Sequence, residues 1–293
     1  MPDAPENTPP VSLVSLAYSV DADDAFMFHA LRAGTIDARG LTFTHHRDHT
    51  AALNRLAIDA GADVVAVSVG VYPAIAARYQ MLSHGASVGR GFGPVVVAPR
   101  PLAPADLAGL RVGIPGATTT AWLVLRLLAP TAIGVEIPIA PFGAIFDALA
   151  SGQVDAALLI HEGRLLYPQR GLQLVVDLGA WWQAETSLPL PLGVNVVRRA
   201  LGAPLVARVS AVVRAGIDWG LAHRDEIIAT IAAEERGDKG LADRGLIDHY
   251  LTLYANRDTA ELPSDARRAI EVLFGRAHAA GLLPSTTPID WAP

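Results

Sequence analysis

Four short runs in this chain, DVVAVSV (63–69), PVVVA (94–98), AALLI (156–160) and LGVNVV (192–197), are apolar almost throughout. A strand that is apolar on both faces has to be covered on both, which calls for sheets lying beneath helices rather than a sheet open to water. Segments of helical period separate these runs, and alternating strands and helices specify parallel sheets. The expected strands of a first series are Val11–Tyr18, Leu41–Thr44, 63–69 and 94–98, with helices over 24–33, 50–60 and 71–77. Three acids, Asp21, Asp23 and Asp24, crowd the start of the first helix, where carboxylates favour the positive end of the dipole, and Gly34 suits its C-cap.

After the Pro-rich stretch PRPLAP (99–104) a second series begins, with strands at 111–114, 135–139, 156–160 and 174–177 and helices at 119–128 and 142–150. The run 192–197 resembles 94–98 in character, and helical segments follow near 204–234, 241–254 and 264–281. The pattern predicts an α/β clamp of two lobes around a central cleft, joined by two crossovers. The first lobe would comprise 1–98 together with 200–293, its C-terminal helices packing back on it, and the second 99–199.

The chain has 293 residues, enough for two domains of ordinary size. Its net charge of −6 and its lack of any basic run longer than Arg198-Arg199 or Arg267-Arg268 argue against a nucleic-acid partner. The absence of cysteine excludes disulfides, thiolate nucleophiles and Cys-ligated metals. The opening MPDAPENTPP reads as a loose acidic tail without the basic start and apolar core of a secretory signal. No apolar run approaches the ~20 residues that span a bilayer. These features point to a cytoplasmic protein with no membrane insertion, its oligomeric state open, a homodimer included.

The chemistry concentrates at strand tips. The segment from Ala156 to Tyr167 runs from an apolar strand directly into His161-Glu162-Gly163-Arg164. In open α/β sheets the carboxyl ends of strands border the ligand crevice, and histidine titrates nearest neutral pH. Ser68 takes the equivalent tip in the first lobe, and Asn54 lies on a helix that otherwise offers Leu53 and Leu56 to the core. With Asp24 these residues would line the first lobe's side of the cleft.

Gly116-Ala117-Thr118-Thr119-Thr120-Ala121 follows a strand and opens a helix, so its free amides and hydroxyls form a nest for an anion such as a carboxylate. It lacks the Gly-Lys-Thr of a nucleotide loop, and Gly89–Pro94 precedes a strand, the wrong setting for a dinucleotide fingerprint. His45, His46 and His49 read as polar surface and a helix cap rather than metal ligands. The motifs imply neither a metal nor a cofactor.

Several blocks together resemble the 1,4-dihydroxy-6-naphthoate synthases of the futalosine route to menaquinone, over about residues 12–283. They are DDAFMFHAL (23–31), LNRLA (53–57), Ser68 with Tyr72, GRGFGPVVVA (89–98), Thr119-Thr120-Ala121, IHEGRLLYPQRGL (160–172) and VVDLGAWWQAETSLPLPLG (175–193). The resemblance implies a two-lobed fold like the type II periplasmic binding proteins. It also implies a lyase that splits cyclic de-hypoxanthine futalosine into the dihydroxynaphthoate and a sugar fragment. The family's catalytic histidine falls on His161, and its substrate contacts on Asp24, Asn54, Ser68, Thr119, Thr120 and Ala121. The first loop departs from the family's Ser-Pro-Cys-Pro-Asn-Asp-Thr-Phe, reading Ser19-Val20-Asp21-Ala22-Asp23-Asp24-Ala25-Phe26 here. Ala66 stands where relatives often carry Lys, and Thr118 replaces a frequent His.

On this reading His161, neutral at pH 7, acts as general base on a hydroxyl or carbon acid of the substrate. The Thr119–Ala121 helix start holds the substrate's carboxylate, Glu162 or Arg164 orients the imidazole or holds lobe-closing contacts, and Arg164 counts among the substrate-binding residues. A binding protein or sensor for a small carboxylate or aromatic ligand on the same clamp is the alternative, favoured by the altered loop. The sister enzyme, a chorismate dehydratase, is disfavoured by the HEGR and WWQAETSLPLPLG blocks.

Overall fold

The computed structural model describes residues 12–236 and 238–293. The expected N-terminal tail, 1–10, lies outside them. Among the described residues eleven strands form two sheets. The strands are β1 (Ser12–Ser19), β2 (Leu41–Asp48), β3 (Val64–Ser68), β4 (Tyr79–Met81), β5 (Ser87–Gly89), β6 (Val95–Ala98), β7 (Arg111–Ile114), β8 (Ile133–Glu136), β9 (Ala156–Leu159), β10 (Gln173–Asp177) and β11 (Leu190–Arg198).

The first sheet runs β2-β1-β3-β11-β4 with β5 also on β11, and the second β10-β6-β9-β7-β8. Pairing is parallel for β2-β1-β3 and for β9-β7-β8, and antiparallel where β11 and β6 join. Strands β3, β6 and β9 are buried at every position, which is why they read as unbroken apolar runs.

Strand pairing moves the expected division of the chain. Val95–Ala98 belongs to the second sheet, where it joins β10 to β9, and Leu190–Arg198 belongs to the first. The chain therefore crosses between 89 and 95 and returns between 177 and 190, earlier on both passes than the boundaries at 98 and 199. Val96 and Val97 have apolar neighbours on both sides in the second sheet, and a two-sided apolar strand does not reveal to which sheet it belongs.

The first crossing is tight. A Cβ on Gly179 would stand 2.0 Å from the carbonyl of Phe92, and one on Gly93 would stand 2.8 Å from the Gly179 amide. The glycine-dense GRGFG segment is thus a packing device, letting backbone lie on backbone where the helix Leu178–Thr186 begins.

The C-terminal helices pack as expected on the first lobe, and also reach further. Ala203–Ala222 covers one face of the first sheet through Val206, Val209, Val213 and Ile217. Arg244–Tyr254 packs with Phe26, and Leu165 of the second lobe packs against the same cluster. Among the described residues no helix is long and apolar enough to cross a membrane.

Candidate active site

Four strand ends meet at the cleft between the lobes. Strand β1 ends at Ser19, β3 at Ser68, β9 leads into His161, and β7 leads into the loop before the helix Thr120–Leu128. The cleft encloses about 750 Å³ of atom-free space, including its open mouth. Asp24, Ser68, Thr119, Thr120, Ala121, His161 and Arg164 all line it.

Asn54 does not line it. Fully buried behind the wall, it donates to Ser68 Oγ (3.1 Å), to Thr118 O (3.2 Å) and to Thr118 Oγ1 (3.2 Å), and accepts from Ser68 N (2.9 Å). Both ends of its amide are satisfied by protein groups, so it ties the Ser68 strand tip to the loop before the helix instead of reaching a ligand.

The three threonine hydroxyls are likewise held by protein. Thr119 caps the helix, accepting from Trp122 N (3.3 Å) and donating to Gly116 O (2.8 Å). Thr120 Oγ1 accepts from Gly70 N (3.1 Å) and donates to Leu192 O (2.8 Å), fastening the helix start to the first lobe. The backbone amides of Thr120 and Ala121, at the first positions of a nine-residue helix, have no carbonyl within the helix to meet. They are the groups at this end suited to an anion.

His161 adopts a left-handed backbone, φ 51°, unusual for a residue with a side chain. Its Nε2 lies 3.1 Å from Asp21 Oδ2 and 3.0 Å from Thr50 Oγ1, and its Nδ1 lies 3.5 Å from the Tyr250 hydroxyl. Tyr250 also reaches Asp23 Oδ1 (3.3 Å), whose other oxygen accepts from Ser87 Oγ at 2.7 Å. Asp24 accepts from Ser19 N at 2.6 Å. Glu162, 1% exposed, pairs with Arg236 and accepts from Ala22 N at 3.3 Å.

Four carboxyl groups thus surround one imidazole. Burial opposes a charge on His161, but Asp21, Asp23, Glu162 and Asp24 outweigh it and raise its pKa. This runs opposite to the neutral imidazole expected at pH 7. Burial first, and then Asp23, pushes Asp24 up to about 7. Burial likewise raises Asp23 and Glu162, each helped by the neighbouring Asp21.

Arg164 lines the cleft, but its Nε donates to Gly93 O (2.7 Å) and a terminal nitrogen to Asp177 Oδ2 (2.9 Å). The contact to Gly93 ties the loop after β9 to the first crossing. The three histidines of β2 and its end do not converge on a metal: His45 packs edge-on against Tyr18, and His49 is a helix N-cap. Among the described residues no three His, Cys, Asp or Glu side chains are arranged so that they could hold a metal ion.

Sequence reasoning missed Thr50, Ser87, Tyr250 and Tyr254, which line the same cleft. The tyrosine pair, four residues apart on the helix Arg244–Tyr254, was the available signal. Ranked only as part of a helical tail, it gave no indication of reaching the strand tips.

Known proteins resemble this chain over most of its length. The profile of a family described as menaquinone biosynthesis matches residues 14–279. A 1,4-dihydroxy-6-naphthoate synthase of Thermus thermophilus is 37% identical over 275 residues, covering 94% of this chain and 97% of the relative. One of Streptomyces coelicolor is 37% identical over 284 residues, covering 94% and 96%. A solved protein of Archaeoglobus fulgidus superposes with a TM-score of 0.84 at 36% identity, covering 92% of this chain and 98% of that one. An alkanesulfonate-binding protein of Xanthomonas axonopodis superposes at 0.70 with 15% identity over 96% and 97%, a likeness of fold alone. That likeness makes the two lobes and their cleft a periplasmic-binding-protein fold. The chain belongs to the 1,4-dihydroxy-6-naphthoate synthase family of menaquinone biosynthesis, a family of lyases.

Proposed function

We propose that this chain converts cyclic de-hypoxanthine futalosine to 1,4-dihydroxy-6-naphthoate, with His161 as general base in the interlobe cleft. The observation that carries the reading is the placement of His161. Its imidazole borders the same cleft as the amides of Thr120 and Ala121, so one end of a ligand could be held while the other meets the ring. The substrate's carboxylate would sit on those two amides, with the Ser68 hydroxyl beside them. His161 then takes a proton from a hydroxyl or carbon acid of the ribose-derived part. Carbon–carbon cleavage follows, driven by aromatisation of the second ring. Closed lobes keep water from the reacting centre.

The test is to incubate the purified protein with cyclic de-hypoxanthine futalosine and follow dihydroxynaphthoate by mass spectrometry. Product is expected, and His161→Ala should lower kcat by about 10²–10⁴-fold, the range of a general-base contribution, with the fold intact by circular dichroism. No product, together with tight binding of some other small acid, would overturn the lyase reading in favour of a binding protein. Normal turnover by His161→Ala would remove the base alone.

A further inference from the structure

The loop before the first helix brings an acid to the Nε2 side of the imidazole. Asp21 does not line the main cleft; with His161 it borders a second recess of about 440 Å³, its open mouth included, walled by Ile137, Phe142 and Phe146 among others. Its carboxylate is itself fixed. Oδ2 accepts from Ser19 Oγ at 2.5 Å, and the Asp21 amide donates back to that hydroxyl at 3.0 Å. The same Oδ2 lies 3.1 Å from His161 Nε2.

We infer that Asp21 is a positioning residue for His161: its carboxylate holds the Nε2–H and thereby turns the Nδ1 lone pair toward the cleft as proton acceptor. This deepens the reading of His161 as the base and rests on it. A neutral imidazole has one donor and one acceptor nitrogen, and a fixed carboxylate at one nitrogen decides which is which. With Asp21 at Nε2, the acceptor is Nδ1, the nitrogen beside Tyr250, which lines the cleft. Thr50 Oγ1, 3.0 Å from Nε2, shares that side of the ring. The left-handed backbone at His161 is a conformation kept by its surroundings rather than by local preference.

The groups facing the ring come from several elements. Asp21 precedes the first helix and Asp23 and Asp24 lie on it. Glu162 is the next residue in the chain, with Arg236 paired to it. Thr50 opens the helix Thr50–Ile58, and Tyr250 lies on Arg244–Tyr254. Burial opposes the charge on His161, and of the carboxylates that raise its pKa Asp21 acts most strongly. Removing it should therefore lower that pKa while the other acids remain.

The test compares the intact enzyme with Asp21→Asn and Asp21→Glu. Asp21→Asn should lower kcat by about 10–10³-fold with KM within about twofold, because Asp21 does not touch the ligand. The acid limb of the kcat/KM profile should move to lower pH, and Asp21→Glu should restore part of both. Nitrogen-15 NMR of the imidazole, without substrate, should find the Nε2–H form in the parent chain and a mixture with a lower pKa in Asp21→Asn. An unmoved acid limb and an unchanged imidazole titration would overturn the inference. If His161→Ala keeps full turnover, the base assignment fails instead. If His161→Ala is inactive while Asp21→Asn keeps normal kcat and tautomer, only the role of Asp21 falls.

Discussion

Asp24 sits in the wall of the cleft with its pKa pushed up to about 7, chiefly by burial. A carboxyl raised this way favours the folded state most fully below its unfolded pKa near 3.8, and that contribution fades as pH climbs through about 7. Asp24→Asn keeps an acceptor for Ser19 N and cannot ionise. The variant should gain thermal stability relative to the parent at pH 8, by up to about 4 kcal/mol, and by under about 2 kcal/mol at pH 5. Equal melting-temperature differences at the two pH values would refute this. Activity should fall in the same variant, the common cost where a site keeps an unfavourable group for function. At this scale the sequence was legible where a residue type matched a strand tip, as at Ser68 and His161. It misled at Asn54, whose polarity on a core-facing helix suggested a ligand contact and turned out to serve Ser68 and Thr118. Asp21 and Asp23 stood out as acids at the first helix start and as departures from the family loop, and nothing in the sequence could say that they gather around His161.

The glycine contact between the first crossing and the helix Leu178–Thr186 gives an element-scale prediction. Phe92 carbonyl atoms already lie 2.0 Å from where a Gly179 Cβ would stand, and backbone cannot swing aside as a side chain tip can. Gly179→Ala should therefore cost at least about 2 kcal/mol in urea unfolding. Gly143→Ala, with nothing within 4 Å of its Cβ, should stay within about 1 kcal/mol. A Gly179→Ala midpoint matching that control would show the contact to be slack. Elements were legible where burial was two-sided: β3, β6 and β9 could be read almost to the residue. Strand β8 was placed two residues late because it is an edge strand, largely exposed, and carries little apolar pattern. The breaks at Phe28 and His223, which divide the expected helices 24–33 and 204–234, come from turns that tertiary packing imposes within helical patterns. The short strands β4 and β5 exist because β11 is there to pair with them.

Across the whole molecule, the stretch after the helix Arg224–Ala233 ties the lobes together through alternate charged residues. Glu234 bonds Arg32 and Arg47 in the first lobe; Arg236 pairs with Glu162 and Asp238 with Arg170, both in the second. These contacts do not weigh equally. Arg170 is 42% exposed, so solvent screens its pair and Arg170→Ala should cost under about 1 kcal/mol. Arg236 is only 5% exposed and Glu162 1%, so Arg236→Met strands a carboxyl in the interior. Burial already raises the Glu162 pKa, and losing the arginine raises it further, leaving the group neutral at low pH and costly to ionise at high pH. The stability lost in Arg236→Met should therefore grow from pH 5 to pH 8, toward about 3–5 kcal/mol. Because Glu162 is the neighbour of His161 and also accepts from Ala22 N across the cleft, the same change should loosen lobe closure. Small-angle scattering of the ligand-free variant should then give a larger radius of gyration than the parent, while Arg170→Ala overlays it. A variant with the parent's scattering curve and a pH-independent loss of stability would mean that Arg236 serves local packing alone.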